Sequence, residues 1–312
     1  MDFKKIDSVV DTFVKNNNFR IDTLPMVVNY SKQILNKTSL SFKDEWSREI
    51  ELNDSIKNVY KFLLTLDGEL ANQFYNILMS KDENDKPYVN LLPRDKHPEG
   101  KNEVKDGRVY IYYDNTPLDM FLILHEMLHK MNECKILNDE LNTERFARDY
   151  FGETVSILGE LMLGEYLVNE GIITKEDFDK RKNLRLKNSK EAARDILIEN
   201  ELIELKLQGK EITYDNLIEM FNTFDKTTPE YFVFADEKYD GSRLKDINRD
   251  GKLRTPVSQR YVIGYLISNV LSKRETLEED FIKLHTAIGD PEANINDVYY
   301  DIILKEEKEV TR

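Results

Sequence analysis

The chain has 312 residues, 40% of them hydrophobic and 33% charged, with a formal net charge of -14. That length and apolar content suffice to bury a core in one large domain or two lobes, and the acidity repels phosphate backbones, which excludes non-specific binding of nucleic acid. The single cysteine, Cys134, excludes an internal disulfide and a thiolate metal cluster and points to a reducing compartment.

Most of the chain reads as helix. Helices are expected over Asp7–Lys15 and Leu24–Asn36. A longer one is expected over Ile56–Met79, where Val59, Leu63, Leu66, Leu70 and Leu78 keep close to helical period and Asp54 suits the N-cap. A polar break at Lys81–Pro87 precedes two strand-like runs, Tyr88–Leu92 and Arg108–Tyr113, the second rich in aromatic and β-branched residues. The polar loop between them contains Gly100 and Gly107, and strand-loop-strand predicts a small antiparallel sheet. Asp114–Pro117 then marks a turn and a helix start, with Thr116 at the N-cap and Pro117 at the first helical position. That helix continues through Phe121, Leu122, Leu124 and Leu128.

Further helices are expected from Glu144 to Glu170 with Gly171 as C-cap, and from a capping box at Thr174–Asp177. Three more are expected over Lys190–Leu207, Thr213–Phe224 and Val257–Leu271. Glu237–Thr255 is polar and reads as loop. Within it, Asp246–Gly251 matches the first half of an EF-hand loop. The twelfth position would be Val257, which cannot supply the bidentate carboxylate, so calcium is not expected there. No apolar stretch at the N-terminus is long enough for a secretion signal, and no run approaches the ~18 apolar residues of a membrane span. A cytoplasmic chain without a membrane partner is therefore expected. The acidic run Glu306–Glu309 reads as a solvated tail.

The chemistry centres on His125-Glu126-Met127-Leu128-His129. Residues i and i+4 share a helix face, so both imidazoles reach one ion, and zinc in catalytic sites takes three protein ligands plus water. Glu126 then stands beside that water as general base. The surrounding Phe121–Leu124 and Met127–Leu128 make this a buried helix, where two histidines and a glutamate need a strong partner. The residues after His129 lack the metzincin glycine and histidine, so the third ligand is expected to be a carboxylate. Glu133 lies one turn on along the same helix, badly placed to close the coordination sphere. Glu140 and Glu144 lie in a polar stretch. Glu153, Ser156 and Glu160 form one polar stripe on an otherwise apolar helix. Glu153 thus suits the third ligand, while Glu160 and Ser156 suit the hydrogen bonds behind the ligands, Glu160 fixing the tautomer of an imidazole.

This block, with 23 residues between His129 and Glu153, resembles the thimet oligopeptidase and oligoendopeptidase F family of zinc peptidases. Gly264–Ser272 is similar to that family's C-terminal helix, which carries an oxyanion-stabilising tyrosine. The resemblance implies that role for Tyr265, with Tyr261 one turn earlier assisting. It further implies one zinc ion per chain and a mainly α, two-lobed metallopeptidase with its small sheet beside the zinc helix. Residues 1–80 would be an N-terminal helical part and 81–312 the peptidase core of a single catalytic unit. The strand Arg108–Tyr113 would be an edge that pairs with substrate, bringing Tyr110 and Tyr112 to the peptide. The expected function is zinc-dependent endopeptidase action on short, unstructured peptides. Alternatives are a protease for one particular protein, such as a secreted effector, and a non-catalytic helical interaction protein.

Overall fold

The computed structural model describes residues 1–16, 18–42, 45–132, 143–223 and 242–290, with 292–295, 297–298 and 301–302 beyond them. Glu133, Cys134, Glu140 and the run Glu306–Glu309 lie outside these, and of Glu144 only the backbone is described. The protein is mainly helical with one small sheet. In chain order the helices are α1 (Phe3–Asn16), α2 (Asn18–Leu35), α3 (Leu52–Leu66), α4 (Gly68–Met79), α5 (Pro117–Met131), α6 (Thr143–Asn169), α7 (Lys175–Leu207), α8 (Tyr214–Thr223), α9 (Ser242–Asp250), α10 (Thr255–Leu271) and α11 (Leu277–Gly289).

Two compact units emerge, residues 1–39 with 186–263 and residues 40–185 with 264–312. In the first unit the buried Glu199 carboxylate organises the chain. It accepts from Arg243 Nε (2.7 Å) and from the backbone N–H groups of Arg254 (2.7 Å) and Thr255 (2.6 Å), which closes the N-terminus of α10. Arg243 belongs to α9, a helix in a stretch whose polarity predicts a loop. Leu244 and Ile247 bury one face of it, and the Arg243–Glu199 pair fastens it. Of the residues that match half a calcium loop, Asp246–Asp250 are therefore helical here, and Asp246 pairs with Arg249 at 2.9 Å.

The second unit holds the motif. The stretch read as one helix over Ile56–Met79 is two, because Asp67 leaves the helical conformation and its carboxylate accepts from Glu69 N (2.6 Å) and Leu70 N (2.9 Å), starting α4 afresh. Helix α3 begins at Leu52, so Asp54 lies in its first turn instead of capping it. The sheet is mixed rather than antiparallel: β1 (Val89–Pro93) runs parallel to β3 (Arg108–Tyr113), and only the short β2 (Glu103–Lys105) runs antiparallel to it. Asp106 and Gly107 make the two-residue turn between β2 and β3 with φ of 50° and 71°, a conformation glycine and aspartate tolerate.

The core lies where α5 packs on α6, α3 and β3. Met120, Phe121, Ile123, Leu124, Met127 and Leu128 of α5 are fully buried. At about 1.5–3 kcal/mol for each large side chain, this apolar face holds the helix against its neighbours. The ends of these helices obey the local chemistry of the sequence. The Asp119 carboxylate accepts from the N–H of Thr116 (3.0 Å) at the start of α5, and burial pushes its pKa up to about 6. Thr174 and Asp177 bond reciprocally at the start of α7. Gly171, just past α6, takes the left-handed conformation (φ 65°).

His285 in α11 is buried, its ring stacks on Phe281 at 6.2 Å, and its Nδ1 has no hydrogen-bond partner among the described residues. Burial, only partly opposed by the charge of Asp67, pushes its pKa down to about 4. The unfolded chain therefore takes up this proton first, so stability is complete above about pH 6.5 and falls as the pH drops towards 4. Urea unfolding of metal-free protein at pH 7.5 and pH 4.5 should show a His285→Leu variant losing about 2–3 kcal/mol less than the wild type over that interval. Equal losses would place the acid sensitivity elsewhere.

Candidate metal site

Helix α5 presents His125 and His129 one turn apart, and α6 lies across them with Glu153. The two Nε2 atoms are 3.2 Å apart. Glu153 Oε2 is 3.6 Å from His125 Nε2, and its Oε1 is 3.5 Å from His129 Nε2. His125 and Glu153 are buried and His129 is half-buried, so the three residues form a group able to hold a metal ion. Two ring nitrogens that close call for a proton or a cation near both, and two imidazoles with one carboxylate make a donor set suited to a borderline divalent ion.

The residues behind the ligands determine which nitrogen of His125 is available. Glu160, two turns beyond Glu153, places Oε1 2.7 Å from His125 Nδ1. Arg185 Nη2 also lies 3.2 Å from that nitrogen, but two donors cannot bond each other. The shorter carboxylate contact therefore assigns the proton to His125 Nδ1, which leaves the Nε2 lone pair facing Glu153 and His129. Glu160 is buried, which works against its ionisation. The guanidiniums of Arg181 and Arg185 and the His125 bond outweigh that and hold its carboxyl well below the usual range. Arg181 donates from Nε to Oε2 at 2.9 Å and sets its Nη2 in ion-pair contact with the same oxygen at 2.7 Å, and Arg185 Nη2 bonds Oε1.

Ser156 is fully buried, and its hydroxyl donates to the carbonyl oxygen of His125 at 3.3 Å, tying α6 to α5 at the ligand itself. Glu126, next to His125, is buried and accepts no hydrogen bond among the described residues. Helix α10 meets α6 at Glu153. A Cβ added to Gly264 would stand 3.1 Å from Glu153 Cβ and 3.2 Å from Thr154 N, so only glycine allows this approach. Tyr265 is the next residue; it is buried, and burial pushes its hydroxyl pKa up. Tyr261 belongs to the other unit, where Arg260 Nη2 donates to its hydroxyl at 3.2 Å.

The strand β3 is central, not an edge. Its Val109 N–H goes to Tyr88 O at 2.8 Å on the β1 side, and β2 pairs with it over Arg108–Tyr110. Tyr112 is engaged in holding the loop before β2: its N–H goes to the Asn102 side chain (2.6 Å), Arg94 Nη2 donates to its carbonyl (3.1 Å), and Gly100 packs against its ring. Tyr110 is half-buried at the register position opposite Glu103 and Asn90. The edge role expected for this strand is overturned by the two-sided pairing.

Arg181 and Arg185 escape the sequence reading. They lie at i and i+4 in a stretch crowded with Lys180, Lys182 and Lys187, which reads as a solvated face, yet both arginines are buried.

No protein-family model, no curated protein and no solved structure matches this chain. Among the described residues no helix is long and apolar enough to cross a membrane.

Gly264→Ala should lower stability by roughly 1–3 kcal/mol, because the new methyl group meets backbone on α6 rather than a flexible side-chain tip. Thermal unfolding of metal-free variant and wild type measures this, and an unchanged melting temperature would show that α10 can move away from α6 without loss.

Proposed function

We propose that the chain is a zinc-dependent endopeptidase acting on short, unstructured peptides. The observation that carries this reading is the spacing of the three ligand atoms. A tetrahedral zinc with bonds of about 2.0–2.1 Å separates its ligands by roughly 3.3 Å. The separations here are 3.2, 3.5 and 3.6 Å. When bound, zinc would polarise the scissile carbonyl and make water acidic enough to be a nucleophile at neutral pH.

The chain's own groups would do the rest. Glu126, a buried carboxylate next to His125, takes the proton of the attacking water and returns it to the leaving amine. Glu160 keeps the proton on His125 Nδ1. Tyr265 donates its hydroxyl hydrogen to the developing oxyanion, a role drawn from the resemblance to the thimet oligopeptidase and oligoendopeptidase F family. The substrate class also comes from that resemblance.

Peptide pairing belongs to β2 instead of β3. The backbone of Val109 faces β1, so by alternation Arg108 and Tyr110 face β2 and bond Lys105 and Glu103. Val104, opposite Val109, therefore turns its N–H and C=O outward from the sheet, on the strand that packs against α5. An extended peptide could pair there.

Elemental mass spectrometry and a quenched fluorescent peptide library test the reading together. The native protein should carry about one zinc per chain and cleave peptides, and Glu153→Ala should lose the metal. Glu126→Gln should keep zinc and lose roughly 10²–10⁴-fold in kcat. A native protein that takes up no zinc after reconstitution would end the metallopeptidase reading.

Val104→Pro removes only the outward N–H and leaves both hairpin pairs intact. It should reduce kcat/KM for long peptides about three- to tenfold, as the loss of one hydrogen bond implies. The metal-free melting temperature should stay within a few degrees of the wild type, and an unchanged kcat/KM would remove β2 from the substrate site.

A further inference from the structure

We propose that Arg181 and Arg185 are positioning residues of the metal site: together they lock Glu160 so that it fixes the tautomer and the aim of His125. This rests on the reading of His125, His129 and Glu153 as metal ligands.

Both oxygens of the Glu160 carboxylate are held from the α7 side. Arg181 donates from Nε to Oε2 (2.9 Å), and its Nη2 stands in ion-pair contact with the same oxygen (2.7 Å). Arg185 Nη2 holds Oε1, the same oxygen that accepts from His125 Nδ1 at 2.7 Å. The carboxylate cannot rotate without breaking charge-assisted bonds to both guanidiniums, so its Oε1 stays aimed at the imidazole. A metal-ligating histidine depends on such an acceptor to keep one tautomer and one ring orientation.

The arginines also balance charge at the site. Glu126, Glu153 and Glu160 bring three carboxylates into one buried region, and Arg181 and Arg185 bring two positive charges next to one of them. The two arginines act differently. Arg181 hydrogen-bonds Oε2 through Nε and holds its charged Nη2 against the same oxygen, two positions of one planar group that an ammonium cannot fill together, whereas the Glu160 bond of Arg185 uses one nitrogen, which an ammonium can replace.

Zinc affinity of the full chain, measured by chelator competition, tests this on wild type, Arg181→Lys and Arg185→Lys, with metal-free melting temperatures measured alongside. Arg181→Lys should bind zinc tenfold to a hundredfold more weakly, and the visible spectrum of its cobalt(II) form should shift. Arg185→Lys should stay within about threefold of wild type, because it keeps the charge and one donor. Wild-type affinity in Arg181→Lys, or a loss that merely tracks a fallen metal-free melting temperature, overturns the proposal. Should Arg181→Lys fail to fold, Arg185→Gln must show at least a tenfold loss, and wild-type affinity there overturns it equally. A wild-type chain that binds no zinc refutes the metal reading and this proposal with it. Zinc bound normally by wild type and variants alike refutes the proposal alone.

Discussion

Burying a carboxylate costs several kcal/mol unless cations and donors meet it, and around His125 three carboxylates are buried within reach of one apolar helix pair. The answer to that cost is α7. Arg181 and Arg185 must arrive at the height of Glu160, so the register of α7 is not free to vary. Its start is fixed by the reciprocal bonds of Thr174 and Asp177. Asp177 also accepts from Ser47 N at 3.0 Å, and Asn183 exchanges hydrogen bonds with the backbone of Leu40, both at 2.8 Å. The bonds to Leu40 and Ser47 thus help to set the register of α7. The chain of dependence runs from a helix cap, through helix register, to a guanidinium pair, to a carboxylate, to the proton on one imidazole nitrogen.

The parts of the fold that were legible in the sequence are those decided by neighbours in the chain. Thr116-Pro117 and Thr174–Asp177 announce helix starts because capping is satisfied within four residues. His125, His129 and Glu153 were legible because i,i+4 geometry and a polar stripe on an apolar helix are local patterns too. The break at Asp67 was hidden by the hydrophobic period, since Leu63, Leu66 and Leu70 continue it straight through. Asp67-Gly68 was the signal that outweighed it. Helix α9 was hidden for the opposite reason: few of its residues are apolar, and a buried ion pair from a distant helix does what an apolar face would have done.

Arg181 and Arg185 show the limit most clearly. A charged residue in a lysine-rich stretch carries no local mark of burial, and its partner Glu160 lies 25 residues before Arg185 in the chain. Only the packing of α7 on α6 turns two surface-like side chains into part of the site. A local pattern can therefore give a group able to hold a metal while missing the buried charges behind it.

The sheet carries the same lesson. Strand pairing is long-range, so the parallel match of Tyr88–Leu92 with Arg108–Tyr113 could not be read from two runs and a loop. The Asp106-Gly107 pair was a strong hairpin signal nonetheless, and it fixes the register of β2 on β3. A two-residue turn makes Lys105–Arg108 the first bonded pair, hence Val104–Val109 an unbonded one, hence Val104 the residue whose backbone faces away from the sheet. One residue more in that turn would move β2 by one step and rotate a different set of backbone groups to the edge. The turn, lying outside the motif, decides which backbone groups of β2 face away from β3.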